Sequence, residues 1–188
     1  MQIIDRRQFV RPNTDISFFN ETTTPGRSAH KPVFDELIAA GKMQRDIVIS
    51  DDGLTQSVTF TYDSLETLTA RYNSVSIELN KEFFEYTTAN GFVTTLATQS
   101  GIDVPFTCTT IYTYNENTST LYPKFEDFIQ SLTVSITLEE FTNTGTQLIA
   151  VHRYENSADY TATRWREGPA IVGLFEGGVT RSIEFNLV

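Results

Sequence analysis

The sequence predicts an α+β fold. It reads as an antiparallel, β-rich domain with a C-terminal meander or sandwich half, two or three helices and an extended N-terminal arm. Three observations predict it. Threonine is abundant, 28 residues of 188, beside 14 Phe and 8 Tyr, and β-branched and aromatic side chains suit a pleated, half-buried surface. Alternation with period two recurs along the second half, with short turns between the runs. Residues 63–79 instead repeat their apolar side chains at intervals of three and four, the spacing of a helix face. At 39% hydrophobic and 20% charged, the chain belongs with globular rather than disordered sequences.

Residues 1–28 show no sustained period. Asp5, Arg6, Arg7, Arg11 and Asp15 interrupt the apolar residues, and Pro12 and Pro25-Gly26 punctuate them. Phe9, Val10, Ile16, Phe18 and Phe19 are nonetheless too apolar for a disordered tail, so the segment reads as an arm that needs something to lie on. Residues 1–45 carry 7 Lys/Arg against 5 Asp/Glu, and residues 46–188 carry 7 against 19. A net of +2 thus faces one of −12, and the domain reading is an arm over 1–28 and a single α+β domain over 29–188. Arg6, Arg7, Phe9, Arg11, Phe18 and Phe19 are the candidate docking residues of that arm.

Pro32 suits a first helical turn, with Phe34, Leu37 and Ile38 on one face and Gly41 as the stop, which predicts a short helix over 32–40. Ile47-Val48-Ile49, the turn Asp51-Asp52-Gly53 and Ser57–Tyr62 read as a hairpin with Val58, Phe60 and Tyr62 on its core face. Asp63 then caps a helix with Glu66 as its capping-box partner. Leu65, Leu68, Tyr72, Val75 and Leu79 line the core side, and a break near Asn73–Ser76 is open. Phe83 and Tyr86 follow, and Asn90-Gly91 ends the helix.

Beyond residue 91 the chain reads as strands and turns. Phe92–Thr98 and Val104–Tyr114 are extended, and Pro123–Ile129 forms one or two helical turns. Val134, Ile136 and Leu138 alternate with polar neighbours, Asn143-Thr144-Gly145 turns the chain, and Gln147–Tyr154 returns. Asn156–Asp159 turns it again into a strand over Tyr160–Arg166. The last two strands are punctuated by Gly168-Pro169 and Gly177-Gly178, with Ile183, Phe185 and Leu187 alternating at the end. Helices covering one sheet face complete the α+β arrangement.

The residues that carry chemistry are sparse. Cys108 is the only cysteine, which excludes an intramolecular disulfide and a cysteine-based zinc site. Its alternating surroundings make it a small buried hydrophobe. Of the two histidines, His152 reads as structural within a strand and His30 as part of a helix start. Gly168 and Gly173 have the spacing of a phosphate loop but lack the Lys that must follow. Asp51-Asp52 is a turn, and Glu139-Glu140 point to opposite faces of a strand. Arg164-Trp165-Arg166 reads as a half-buried Trp, with base or glycan stacking as the functional alternative. A formal net charge of −10 disfavours a nucleic-acid backbone as partner. No apolar run approaches the ~20 residues of a bilayer span, and the first residues lack a secretory pattern. No catalytic residue, metal ligand or cofactor is expected.

Thr55–Thr67, the aromatic helix beyond it and Asn90-Gly91-Phe92 resemble a strand–helix unit in small virion proteins of tailed bacteriophages, the marine contractile-tailed group in style. Arg6-Arg7-Gln8-Phe9-Val10-Arg11-Pro12 resembles the extended N-terminal arms of such proteins. The resemblance implies a non-enzymatic structural subunit of the virion, in tail or baseplate, whose partners are other virion proteins or copies of itself. The arm and the exposed sheet edges would pair with neighbours. The alternative is a β-sandwich module binding glycan or protein through Tyr112, Tyr114 and Trp165.

Overall fold

The structure is a computed structural model that describes residues 1–19, 25–114, 136–161 and 179–188, and only the backbone at 25–30 and 78. Its N-terminal segment is an inner strand. β1 (Ile3–Val10) lies antiparallel between β3 (Thr55–Tyr62) and β4 (Val93–Ser100). This corrects the extended arm over 1–28. The period-two pattern is present but concealed, because Asp5 and Arg7 occupy covered positions between Ile3 and Phe9. They are stable there because they meet each other: Arg7 Nη2 and Nε donate to the two Asp5 carboxylate oxygens at 2.6 and 3.1 Å.

β2 (Met43–Ile49) and β3 form the expected hairpin in unbroken register from Met43 opposite Tyr62 to Ile49 opposite Gln56. Its turn works as the residue types require. Gly53 takes a φ of +72°, and Asp52 Oδ1 accepts from Ser50 Oγ at 2.5 Å and from the Leu54 N–H at 2.9 Å. Val58, Phe60 and Tyr62 are buried as expected.

Helix α1 (Pro25–Ala39) begins earlier than the sequence suggests, so Pro32 sits inside it rather than in its first turn. Phe34 is buried, Leu37 is half-buried and Ile38 is exposed, and Gly41 with φ +69° ends the helix. The long apolar stripe forms two helices, α2 (Leu65–Asn73) and α3 (Ile77–Ala89). Serines set the break. Ser64 rather than Asp63 caps α2 by accepting from the Thr67 N–H, and Ser76 caps α3 by accepting from the Leu79 N–H. Asp63 supports the first cap instead, accepting from Thr67 Oγ1 at 2.6 Å and Ser64 Oγ at 3.0 Å. Leu68, Tyr72, Val75 and Leu79 are buried and Leu65 half-buried. Phe34 of α1 stands edge-on to Phe60 at 5.8 Å, and Phe83 of α3 edge-on to Phe9 at 5.5 Å. The helices thus cover the sheet face that carries Ile3, Asp5, Arg7 and Phe9.

The resulting strand order is β2-β3-β1-β4. A helix joins β1 to β2 and two helices join β3 to β4, each crossing a strand that lies between, which is the split β-α-β arrangement of a ferredoxin-like sheet. The second half repeats the strand order. β5 (Phe106–Thr113), β6 (Thr137–Asn143), β7 (Gln147–Tyr154) and β8 (Thr180–Leu187) form an antiparallel sheet ordered β6-β7-β5-β8.

The chain therefore divides into two units, Met1–Gly101 and Ile102–Val188, and not into an arm and one domain over 29–188. Gly101 closes the first unit with φ +100°, and a Cβ there would lie 2.0 Å from the Gln2 carbonyl oxygen, so only glycine fits. The composition shift near residue 45 marks no boundary, because opposite net charges share one sheet.

In the second unit only β6 and β7 are consecutive neighbours. β5 and β8, the first and last strands of the unit, pair with each other, so the sheet is split rather than a sequential meander. Residues 157–161 form a helical turn where the sequence suggests a turn into the Tyr160–Arg166 strand. Asn156 Oδ1 accepts from the Ala158 and Asp159 N–H groups and starts that turn. The core joins Phe106, Tyr154, Tyr160 and Phe185, with ring centroids 5.2 to 6.1 Å apart. The helical turn over Pro123–Ile129, the start of the run at Val134, Arg164-Trp165-Arg166, and the Gly168-Pro169 and Gly177-Gly178 punctuation lie outside the described residues.

Candidate functional site

The six docking residues of the expected arm are folded into the first unit. Arg6 is exposed on the sheet face away from the helices, opposite Thr59 and Thr98. Arg7 holds Asp5, and Phe9 packs on Phe83. Arg11 reaches back over the hairpin, donating from Nε to the Gly53 carbonyl at 2.8 Å and from Nη1 to the Ile16 carbonyl at 2.7 Å. Its guanidinium stands 4.5 Å from the Phe18 ring centroid. Phe18 and Phe19 are each 8% exposed, Phe18 against Phe92 and Phe19 against Val75, Leu79, Phe83 and Tyr86. Tyr86 Oη donates to the Ser17 carbonyl. All but the exposed Arg6 are engaged within their own unit, and the docking assignment is corrected for Arg7, Phe9, Arg11, Phe18 and Phe19.

The covered face of the first sheet holds a polar cluster that the sequence reading did not find. Register places Asp5 opposite Phe60 on one side and Gln99 on the other, and Asp5 and Gln99 are buried. Burial works against the Arg7 charge, but the Asp5 charge and hydrogen bonds outweigh it and hold the guanidinium protonated more firmly than usual. Arg71 descends from α2, 8% exposed, with its guanidinium carbon 5.1 to 5.3 Å from the centroids of Tyr72, Phe34 and Phe60. Such stacking stabilises a desolvated cation. Burial pushes the Tyr62 phenol well above its ordinary range, although Arg71 acts in the opposite direction. Two guanidinium nitrogens on one carboxylate fix the pair geometrically, and the stacked Arg71 links α2 to the rings of Phe34 and Phe60 beside it.

The corresponding rows of the second sheet are softer. Its register from Phe106 opposite Tyr154 matches that from Ile3 opposite Tyr62, so Cys108 stands where Asp5 does, Thr110 where Arg7 does and Phe185 where Gln99 does. Cys108 and His152 lie directly opposite one another and both are buried, as the reading of a core cysteine and a structural histidine expects. Tyr112 and Tyr114 are also buried, which corrects their placement on an exposed glycan-binding face. Among the described residues no group of three His, Cys, Asp or Glu could hold a metal ion. No described helix is long and apolar enough to cross a membrane.

The sheet edges present a different surface. Among the described strands, β2, β4, β6 and β8 stand at the sheet edges. Natural edges are blunted by bulges and charges. β4 meets a register shift at Gln8/Phe9, β6 has one between Leu138 and Glu140 and carries both Glu139 and Glu140, and β8 carries Arg181 and Glu184. β2 has no shift and carries Arg45 and Asp46 in its first half, while its uncharged end Ile47, Val48 and Ile49 is 49, 63 and 51% exposed.

The Ser50 N–H bonds to the Thr55 carbonyl at 2.9 Å, and the Lys42 carbonyl accepts from the Asp63 N–H at 3.0 Å. Even-numbered residues therefore turn their main-chain groups toward β3. Arg45, Ile47 and Ile49 turn theirs outward, since the direction alternates along an antiparallel strand. No described strand pairs with that outer edge. The run Ile47–Ile49 was legible in the sequence as a strand. Its edge position was not, because pairing order is a property of the sheet.

No family model and no curated protein matches this chain. Solved structures similar to it include a candidate glycine cleavage system transcriptional repressor, at 12% identity and TM-score 0.33, covering 100% of this chain and 98% of that one. Another is a candidate monooxygenase from Lactobacillus acidophilus NCFM, at 14% identity and TM-score 0.33, covering 100% and 93%. A third is the ligand-free regulatory subunit of aspartate kinase from Thermus thermophilus, at 15% identity and TM-score 0.25, covering 93% of each chain. At such scores the likeness carries no argument about function.

Proposed function

We propose that this protein is a non-enzymatic structural subunit of a bacteriophage particle, in tail or baseplate, that works by assembling with copies of itself or with other virion proteins. The observation that carries the assembly reading is the outer edge of β2: a strand in unbroken register with outward main-chain groups and three consecutive half-exposed branched residues. Such an edge is a template for strand addition, and a monomer in solution ordinarily blunts it. The particle is supported by the resemblance of Thr55–Thr67 and Asn90-Gly91-Phe92 to a strand–helix unit of virion proteins; these residues form β3, the start of α2 and the turn into β4. The function is one of surface complementarity and requires no metal or cofactor. Mass spectrometry of purified intact particles tests it. The chain should be retained through density-gradient purification in a fixed ratio to other virion proteins. Its loss from otherwise complete particles overturns the reading.

A further inference from the structure

We propose that two copies of this chain join antiparallel through the outer edge of β2, about a two-fold axis at Val48, so that the four-stranded sheet of one first unit continues into that of the other. The inference rests on the reading of the chain as an assembly subunit and adds the edge, the partner and the register.

A two-fold axis normal to the sheet keeps the helix-covered face of both copies on the same side. Residues directly opposite must then have the same parity, as side chains alternate along each strand. Four registers fit the exposed stretch. Centred on Asp46, the pairing sets that carboxylate against itself. Centred on Ile47, it sets Asp46 against Val48 on both sides of the axis. Centred on Ile49, it runs most of the partner strand past the turn at Asp51-Asp52-Gly53. Centred on Val48, it sets Val48 against Val48, Ile47 against Ile49 twice, and Asp46 against Ser50 twice.

The main chain supports the Val48 register, as it does any register of like parity. The outward N–H and C=O groups of Ile47 and Ile49 meet as hydrogen-bonded pairs. Val48, whose main-chain groups face β3, becomes the close non-hydrogen-bonded pair on the axis. Four isoleucines lose water on one face and two valines on the other, and no carboxylate is set against another or against an apolar side chain. A second copy is the partner this edge fits, because one strand supplies both complementary halves.

Sedimentation velocity of the full chain at micromolar concentration tests the partner. The wild type should sediment as a dimer. Val48→Lys, at an exposed edge position that tolerates charge, should raise the dissociation constant at least ~tenfold. Cysteine cross-linking tests the register. The two Val48 Cα atoms would lie about 4.5 Å apart, within the span of a disulfide. Val48→Cys should therefore link two copies on mild oxidation, while Gln44→Cys, opposite Asp52 in this register, should not. The native Cys108 is 2% exposed, so the wild type serves as an unreactive control. A monomeric wild type, or equal cross-linking at positions 44 and 48, overturns the inference. A dimer absent from purified particles overturns the particle reading alone. A chain retained in particles yet monomeric and not linked at position 48 overturns the β2 inference alone.

Discussion

Asp5 and Arg7 show how two charged residues can belong inside a sheet. Asp5 is 1% exposed, and the bidentate bonds from Arg7 replace the water it loses. Removing one partner leaves the other charge buried and uncompensated. Asp5→Asn should therefore cost about 2–4 kcal/mol in chemical denaturation, towards the lower side for a pair whose arginine keeps some solvent contact. A loss within experimental error means the pair does not form. A second residue-scale effect concerns acid. Hydrogen bonds from Thr67 and Ser64 hold the exposed Asp63 carboxyl below the usual carboxylate range, as the Ser50 hydroxyl and Leu54 N–H do for Asp52. A carboxylate with a lowered folded pKa stabilises the fold above its unfolded value of about 3.9. That contribution disappears as pH falls through the folded value. Asp63→Asn should lower stability at neutral pH and flatten its decline on acidification. An unchanged acid limb in urea titrations from neutral to acid pH counts against the cap.

At the scale of elements, the helices were the most legible part of the chain. Apolar residues at three- and four-residue spacing announced the buried stripe of α2 and α3, and the Ser74 and Ser76 region announced the break. Leu68 is fully buried at the centre of that stripe. Leu68→Ala should cost about 2–5 kcal/mol, the range for a large-to-small change in a packed core. A loss below ~0.5 kcal/mol in equilibrium unfolding means an exposed stripe. The cap was read one residue early because Asp63 and Ser64 are both good capping residues, and only backbone geometry chooses between them. β1 was misread for a more general reason. Pattern reading assumes that covered positions are apolar, and β1 places Asp5 and Arg7 there. In β5, where the equivalent positions are Cys108 and Thr110, the same pattern was plain.

For the whole molecule, β1 is the N-terminal element on which the first sheet depends, since it joins β3 on one side to β4 on the other. Deleting residues 1–19 removes the centre of the first sheet together with Phe9, Phe18 and Phe19 from its core. The truncated chain should lose amide-exchange protection across β3 and β4, while the β5–β7 ladder of the second unit remains protected. A truncated chain with β3 and β4 still protected shows that the strand is dispensable, as an arm would be.

By itself, the sequence determined the class of the fold, the hairpin of β2 and β3, the helical stripe, the alternation of β5 and β7, and the buried state of Cys108. All of these depend on contacts near in sequence or on a local period, and a local period is written directly in residue order. Only the tertiary structure decided that the N-terminal segment is an inner strand, that the strand order β2-β3-β1-β4 returns as β6-β7-β5-β8, and that β2 stands at the edge of the described strands. Those facts depend on which distant strands lie side by side, and strand pairing is chosen by the burial and hydrogen bonding of the whole sheet.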